Sequence, residues 1–301
     1  MPSPEKDISL HLDELSKVIR QNNIDVFIPV NSSFYGKYIQ EKALLNNTFD
    51  YTSRFEIYEQ MHNKTELALL ASLLNIRIPK HFASVSEAIC PFVIKPENLS
   101  SAKGVKYVFE ENKKRRIVLN NQNKIIQEFI PGTGCGYSIF AKEGEILKAA
   151  GHLRLAEFPI KGGSSVYRKT FFLEQMNEIA TKIIRHLKFS GFAMFEFKLK
   201  PEGELVLIEV NPRIWGSINQ GLVNGINYFE PIFGPPSTTV CLNSKNTYLA
   251  PLLYLSLFYY LIRGNFRPLF LYIKNTYKNS PDVSLLKDPK GYLSIIFRKI
   301  L

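Results

Sequence analysis

The chain has 301 residues, 45% of them hydrophobic, and a formal net charge of +11. That is enough apolar material for one large core or two to three small domains, which excludes a disordered or fibrous chain. Its cysteines, Cys90, Cys135 and Cys241, are scattered, with neither metal-ligand spacing nor a disulfide framework, and Met1-Pro-Ser-Pro-Glu-Lys-Asp lacks the apolar stretch of a secretory signal, so a reducing, cytoplasmic setting is expected.

Residues 8–22 carry Leu10, Leu12, Leu15, Val18 and Ile19 on one helical stripe. Ile24 to Val30 is a nearly continuous apolar run that suits a buried parallel strand, with loop residues Asn31-Ser32-Ser33 at its C-terminal end. A second helix is expected over 36–46, giving an αβα start without the leading strand of a doubly wound domain. Residues 63–75 read as a helix stopped before Pro79, and 84–89 as a helical turn. Phe92–Lys95 is a strand ending in Lys-Pro. The small-residue loop Glu97–Gly104 and strand Val105–Phe109 follow. Lys124–Ile130 is a strand, and the glycines at 132, 134 and 136 read as a hinge or turn before strand Tyr137–Ala141. These glycines lie between two strands, which rules out a dinucleotide fingerprint, and there is no Walker A sequence. A turn at Glu143-Gly144 leads to strand Ile146–His152, and 154–168 reads as a loop. Residues 174–189 form a long amphipathic helix.

The next segment, Ala193–Arg213, holds the most information. Two apolar runs flank Pro201-Glu202-Gly203-Glu204, the pattern of an antiparallel hairpin. With those four residues as the loop, Lys200 pairs with Leu205, Glu196 falls opposite Glu209, and Asn211 shares their face. Phe195, Phe197, Val206, Ile208 and Val210 then make one apolar face. Met194, Leu205 and Leu207 accompany the glutamates on the other. Like charges directly opposite destabilise a sheet, and buried carboxylates cost several kcal/mol unless compensated. Either both glutamates face solvent, or a hard divalent cation sits between them; two carboxylates and an amide oxygen suit Mg²⁺ or Mn²⁺ better than zinc.

Tyr248–Ile262 is apolar and aromatic but contains Pro251 and falls short of the about 20 residues a membrane span needs. A buried helix is the expectation. The last 39 residues carry eight Lys/Arg against two Asp, a net +6. This tail suits either a solvated basic face or peripheral contact of 248–301 with an anionic membrane at its inner face. The concentration of charge there, without a recognition motif, argues against nucleic acid as a partner.

Other residues have two readings each. Lys95, at the end of a buried strand, either snorkels to water or serves as a point charge for phosphate. Lys64 alone reads as an exposed helix residue. The loop around Ser101 and Gly104 is either a surface turn or a backbone cover for phosphates. Arg154, followed by Gly162-Gly163-Ser164-Ser165, and Arg213, just past the hairpin, are either surface ion pairs or clamps for an anionic group.

Taken in order, Val-Ile-Lys95-Pro, the loop to Gly104-Val105, Ile126-Gln127-Glu128-Phe129-Ile130-Pro-Gly, Arg154 with Gly162-Gly163, Phe195-Glu196-Phe197 and Ile208-Glu209-Val210-Asn211-Pro212-Arg213 resemble the ATP-grasp superfamily. The match runs from about Lys64 to Ser217 and is similar to the carbamoyl-phosphate-synthase-like branch, which includes carboxylate–amine ligases. The resemblance implies an α+β fold in which two α+β subdomains clamp ATP. An abbreviated α/β domain over 1–60, the ATP-grasp domain over 61–240 and a helical tail over 241–301 would make up the chain. It implies phosphate contacts from Lys64, Lys95, Ser101 and Gly104, and adenine contacts from the Gln127, Glu128, Phe129, Ile130 backbone. Glu196, Glu209 and Asn211 would hold Mg²⁺, with Arg154 and Arg213 steadying the transferring phosphoryl group. The implied activity joins a carboxylate to an amine through an acyl phosphate. Phosphoryl transfer to a hydroxyl, and nucleotide binding without turnover on a membrane-associated module, are the competing readings. The chain departs from the family where a ribose-binding carboxylate often follows the hinge: Thr133-Gly-Cys-Gly-Tyr-Ser has none, so either Glu128 substitutes or nucleotide selectivity is relaxed.

Overall fold

The computed structural model describes residues 3–4, 6–30, 34–40, 53–97, 104–115, 117, 123–160, 162–234 and 244–299. The loop with Ser101, the segment 31–33 and most of the helix expected over 36–46 lie outside them.

The N-terminal part consists of α1 (Ile8–Gln21), capped by the Asp7 carboxylate on the Leu10 N–H at 2.9 Å, and α2 (Tyr35–Gln40). Between them, 24–30 forms no strand among the described residues and has one isolated bridge at Val26. This corrects the expected parallel strand. The middle of the run is partly buried by alternation: Phe27 packs with Leu12, Leu15 and Tyr38, while Val26 and Ile28 pack on the cluster of Phe140, Met194 and Trp215; Ile24 and Val30 are exposed.

Next comes a helix pair, α3 (Phe55–His62) and α4 (Lys64–Leu73). Asn63 separates them and caps α4, its side-chain oxygen accepting from the Thr65 and Glu66 N–H groups at 2.8 and 3.1 Å. Lys64 is thereby fixed at the first helical position.

Two largely antiparallel sheets carry the rest. The smaller contains β1 (His81–Phe82), β2 (Phe92–Pro96), β3 (Lys106–Val108) and β4 (Lys124–Glu128), in the order β1-β4-β2-β3, with α5 (Glu111–Lys114) beside it. The larger is built on β5 (Thr133–Lys142), β6 (Glu145–Phe158), β7 (Ser164–Thr170), β8 (Gly191–Leu199) and β9 (Leu205–Asn211), with α6 (Glu174–Leu187) between β7 and β8. The stripe Met176, Ile179, Ala180, Ile183, Ile184 and Leu187 buries α6 on one face of that sheet. The other face is covered by Trp215, Ile226 and Tyr228, near α7 (Asn219–Leu222) and α8 (Glu230–Phe233).

The tail is not wholly helical. β10 (Asn246–Tyr248) pairs antiparallel with β7, and β11 (Asn279–Pro281) pairs parallel with β10, so the large sheet reads β11-β10-β7-β6-β5-β8-β9. Between these two strands lie α9 (Ala250–Ile262) and α10 (Arg267–Lys274), and α11 (Pro289–Lys299) ends the described chain. α9 is buried on one face only: Leu252, Leu253 and Leu257 pack on Ala156, Val166 and Tyr167, while Phe258 and Ile262 are exposed.

Candidate active site

The β8–β9 hairpin does place Glu196 opposite Glu209, but by a different route from the one the turn suggested. Lys200 belongs to the turn, its N–H donating to the Glu204 carbonyl at 2.9 Å, and the first pair is Leu199 with Leu205. Continued unbroken, that register would set Glu196 against Ile208. The register shifts between Phe197 and Glu196 instead, leaving Ile208 as the extra residue and pairing Glu196 with Glu209. A bulge bends a strand and re-aims the side chains beyond it. Leu205 and Leu207 lie in the core with Phe195, Phe197 and Val210, not on the glutamate side where pairing of Lys200 with Leu205 had put them.

Around the acid pair, the Asn211 amide donates to Glu196 and Glu209, 3.2 Å from each, while its oxygen accepts from Arg213 at 3.0 Å. The Arg154 guanidinium binds the Glu196 carboxylate and lies 3.4 Å from Glu157 and from the Gly163 carbonyl. Lys64 is buried, not exposed: its ammonium lies 3.9 Å from Glu209 and donates to the Glu97 carbonyl at 3.1 Å. A lysine in the first turn of a helix opposes the macrodipole, so its placement there follows the acid pair rather than helix stability. Lys95, at the end of β2, is also buried.

These charges set one another's protonation. Burial lowers Lys95 from its ordinary 10.5 to about 8, against the pull of Glu209 and with help from Lys64. Burial resists ionisation of Glu209, but Lys64 and Lys95 overcome it and hold the carboxyl below its ordinary value. Burial raises Glu196, against the pull of Arg154 and with Glu209's charge adding to the rise. His152, enclosed and beside Arg168 and Arg154, is driven well below its ordinary value and stays neutral.

One cleft of about 1050 Å³ joins these groups. Lys64, Lys95, Gln127, Glu128, Phe129, Ile130, Arg154, Glu196, Glu209, Asn211 and Arg213 all line it. Gly104 is adjacent to the lining residue Val105 without lining the cleft itself, and takes a left-handed φ of 73° against Pro96. The Glu128 carboxylate, the candidate substitute for the missing ribose-binding acid, is held by Arg77 at 2.9 Å and by the Lys80 N–H at 3.1 Å.

Sequence reasoning missed several lining residues. Tyr107 and Phe109 stand edge-on to Phe129, with centroids 6.0 and 5.3 Å away, forming an aromatic slot on the small sheet. Their alternation in Tyr107-Val108-Phe109 was the available signal. Tyr107 also packs against Gly162, where a Cβ would lie 2.1 Å from its hydroxyl, so the two sheets meet across the cleft. Arg154 and Glu157 lie on the long strand β6, not in a loop. Gly134 and Gly136 lie inside β5, not at a hinge. A Cβ at Gly134 would come 2.7 Å from the Arg154 side chain, and one at Gly136 would come 2.5 Å from the His152 ring. Of the three glycines, only Gly132, with φ 130°, makes the turn.

The donor set fits Mg²⁺. It offers two opposed carboxylates and one amide, with open cleft on one side, and Mg²⁺ typically takes one or two carboxylates and completes its shell with phosphate oxygens and water.

The model of one family, described as an ATP-grasp domain, matches residues 61–217, over half of the chain. The chain belongs to the ATP-grasp family. The fold agrees with solved ATP-grasp structures. An L-amino acid ligase from Bacillus licheniformis superposes with a TM-score of 0.63 at 17% identity, over 82% of this chain and 67% of that one. The biotin carboxylase domain of Hydrogenobacter thermophilus 2-oxoglutarate carboxylase, in complex with MgADP, ADP and bicarbonate, gives 0.58 at 12%, over 73% and 55%. N5-carboxyaminoimidazole ribonucleotide synthetase from Thermotoga maritima gives 0.55 at 15%, over 77% and 65%. The chain thus spans 55–67% of the length of these three proteins. A comparison with curated proteins gives no match.

Proposed function

We propose that this ATP-grasp protein is an ATP- and Mg²⁺-dependent ligase that activates a small-molecule carboxylate as an acyl phosphate for attack by an amine. The observation that carries the reading is the Glu196–Glu209 pair, opposed across a bulged hairpin and ringed by Lys64, Lys95, Arg154 and Arg213 inside the cleft. The MgADP bound by the Hydrogenobacter carboxylase domain supports the same ligand here.

Glu196, Glu209 and, with its amide turned over, Asn211 would hold the metal, which supplies charge neutralisation and a template for the phosphates. Lys64 and Lys95 bring positive charge to the polyphosphate, and the slot of Tyr107, Phe109 and Phe129 offers flat apolar surface to the base. Arg154 and Arg213 stand where charge develops on the γ-phosphoryl group. A substrate carboxylate oxygen forms the bond to that phosphorus as ADP leaves with its electron pair. The amine then attacks the acyl carbon, loses a proton and expels phosphate. Positioning and charge complementarity suffice for such transfer, so no protein nucleophile is required.

The test is ADP and phosphate release with a panel of amino acids and small carboxylates. Release that requires both a carboxylate and an amine, with an amide product, is expected. Hydrolysis that no donor–acceptor pair raises would overturn the reading, and a stable phosphorylated alcohol would replace it with phosphotransfer to a hydroxyl.

A further inference from the structure

We propose that the outer faces of α9 and α10 form a docking surface for an anionic lipid bilayer. Phe258 and Ile262 on α9, then Phe266, Phe270, Ile273 and Tyr277 along α10 and its flanks, are each 57% exposed or more. Their spacings, four residues within α9 and four, three and four from 266 to 277, are those of one stripe per helix. The inner residues of both helices, Leu253 and Leu257 of α9 and Leu269 and Leu271 of α10, pack in a single cluster against β6 and β7. Both exposed stripes therefore lie on the outer side of one layer. Solvent-exposed aromatics in such number are costly for an isolated surface and mark a contact.

Charge decides which contact. From Pro231 to Pro281 the sequence has no Asp or Glu, while Arg263, Arg267, Lys274 and Lys278 fall between or beside the apolar positions. All four cations are exposed. A second copy of the chain would bring like charges face to face, and lysine is depleted in protein interfaces. An anionic bilayer accepts both parts: aromatic and aliphatic side chains enter the headgroup region and the cations meet lipid phosphate and carboxylate. No helix among the described residues is long and apolar enough to cross a membrane. The geometry is that of a surface contact.

The experiment is co-sedimentation of the whole protein with vesicles of phosphatidylcholine alone or with added phosphatidylserine. Binding to the phosphatidylserine vesicles only, weakened by salt, is expected. Lys274→Gln with Lys278→Gln should reduce the affinity roughly 25-fold, since each basic residue near the surface contributes about fivefold. Phe258→Ser with Phe270→Ser should abolish binding, with thermal unfolding and solution turnover unchanged. The charge variant lies wholly on the exposed face and keeps the test intact should the aromatic one misfold. No binding to either vesicle, equal binding to both, or binding that survives these substitutions overturns the proposal. So does a lipid-free dimer that the aromatic substitutions disperse.

Discussion

Arg154 and Arg168 sit directly opposite each other on β6 and β7, yet the two arginines differ in what surrounds them. Arg168 is 1% exposed and is bound to Asp282, itself only 7% exposed, with a second bond to the Ser165 carbonyl at 3.0 Å. Asp282 is held in turn near Asn219, so the pair fastens the end of β11 to the middle of the sheet. The Arg154 side chain is 13% exposed and its partner Glu196 is 20% exposed, with Glu157, Glu209 and Asn211 close by. Two like ion pairs on neighbouring strands thus have different settings. The more enclosed one has a single carboxylate and is the less exposed of the two, although Arg168 and Asp282 also border the cleft. The more open one belongs to a larger cluster, three carboxylates (Glu157, Glu196, Glu209) among four cations (Lys64, Lys95, Arg154, Arg213), all bordering the cleft.

Substitution should separate the two. Arg168→Met leaves Asp282 buried without its partner and should cost about 3–5 kcal/mol of stability, read by denaturant unfolding. Arg154→Met should reduce kcat about 10²–10³-fold, as loss of a donor aimed at developing charge does, with a smaller change in unfolding free energy because water reaches Glu196. Equal stability losses in both variants would erase the distinction.

Lys95 sharpens the comparison through pH. With its ammonium at about 8 in the folded chain and 10.5 when free, the folded state holds fewer protons than the unfolded state between those values. Stability from this group therefore rises with pH across that window, while the charge available to phosphate is lost. ADP affinity should be level below about pH 8 and fall above it, and Lys95→Arg should remove the fall. The smallest effect is expected at Gly134, where alanine crowds Arg154 by its Cδ. Displacement of a positioned group by a few tenths of an ångström should lower kcat by about tenfold and leave the fold intact.

Much of the site could be read before the structure, and its gaps have physical reasons. The opposition of Glu196 and Glu209 followed from hairpin arithmetic, but the four-residue loop and the absence of a bulge were both wrong, and the two errors cancelled at the glutamates. They did not cancel at Leu205 and Leu207, whose faces were inverted. A bulge leaves no mark in composition. The strand character of Gly134 and Gly136 was hidden because glycine has low β-propensity; its reason lies in His152, which pairs with Gly136, and in the Arg154 side chain over Gly134, neither near them along the chain. Lys64 looked like a solvated helix residue because burial of its ammonium depends on Glu209, 145 residues away. The run from Ile24 to Val30 misled for the opposite reason. Two clusters partly cover Val26, Phe27 and Ile28 on opposite sides, so its apolar residues find partners with no strand beside them among the described residues.

On the proposed function, the acid pair binds a metal–nucleotide complex. Calorimetric titration of ADP into the protein, with and without Mg²⁺, tests it most directly when repeated on Glu209→Gln. Mg²⁺ should strengthen binding in the parent protein and no longer strengthen it in the variant. ADP binding indifferent to Mg²⁺, or a Mg²⁺ effect that survives the loss of the Glu209 carboxylate, would contradict it.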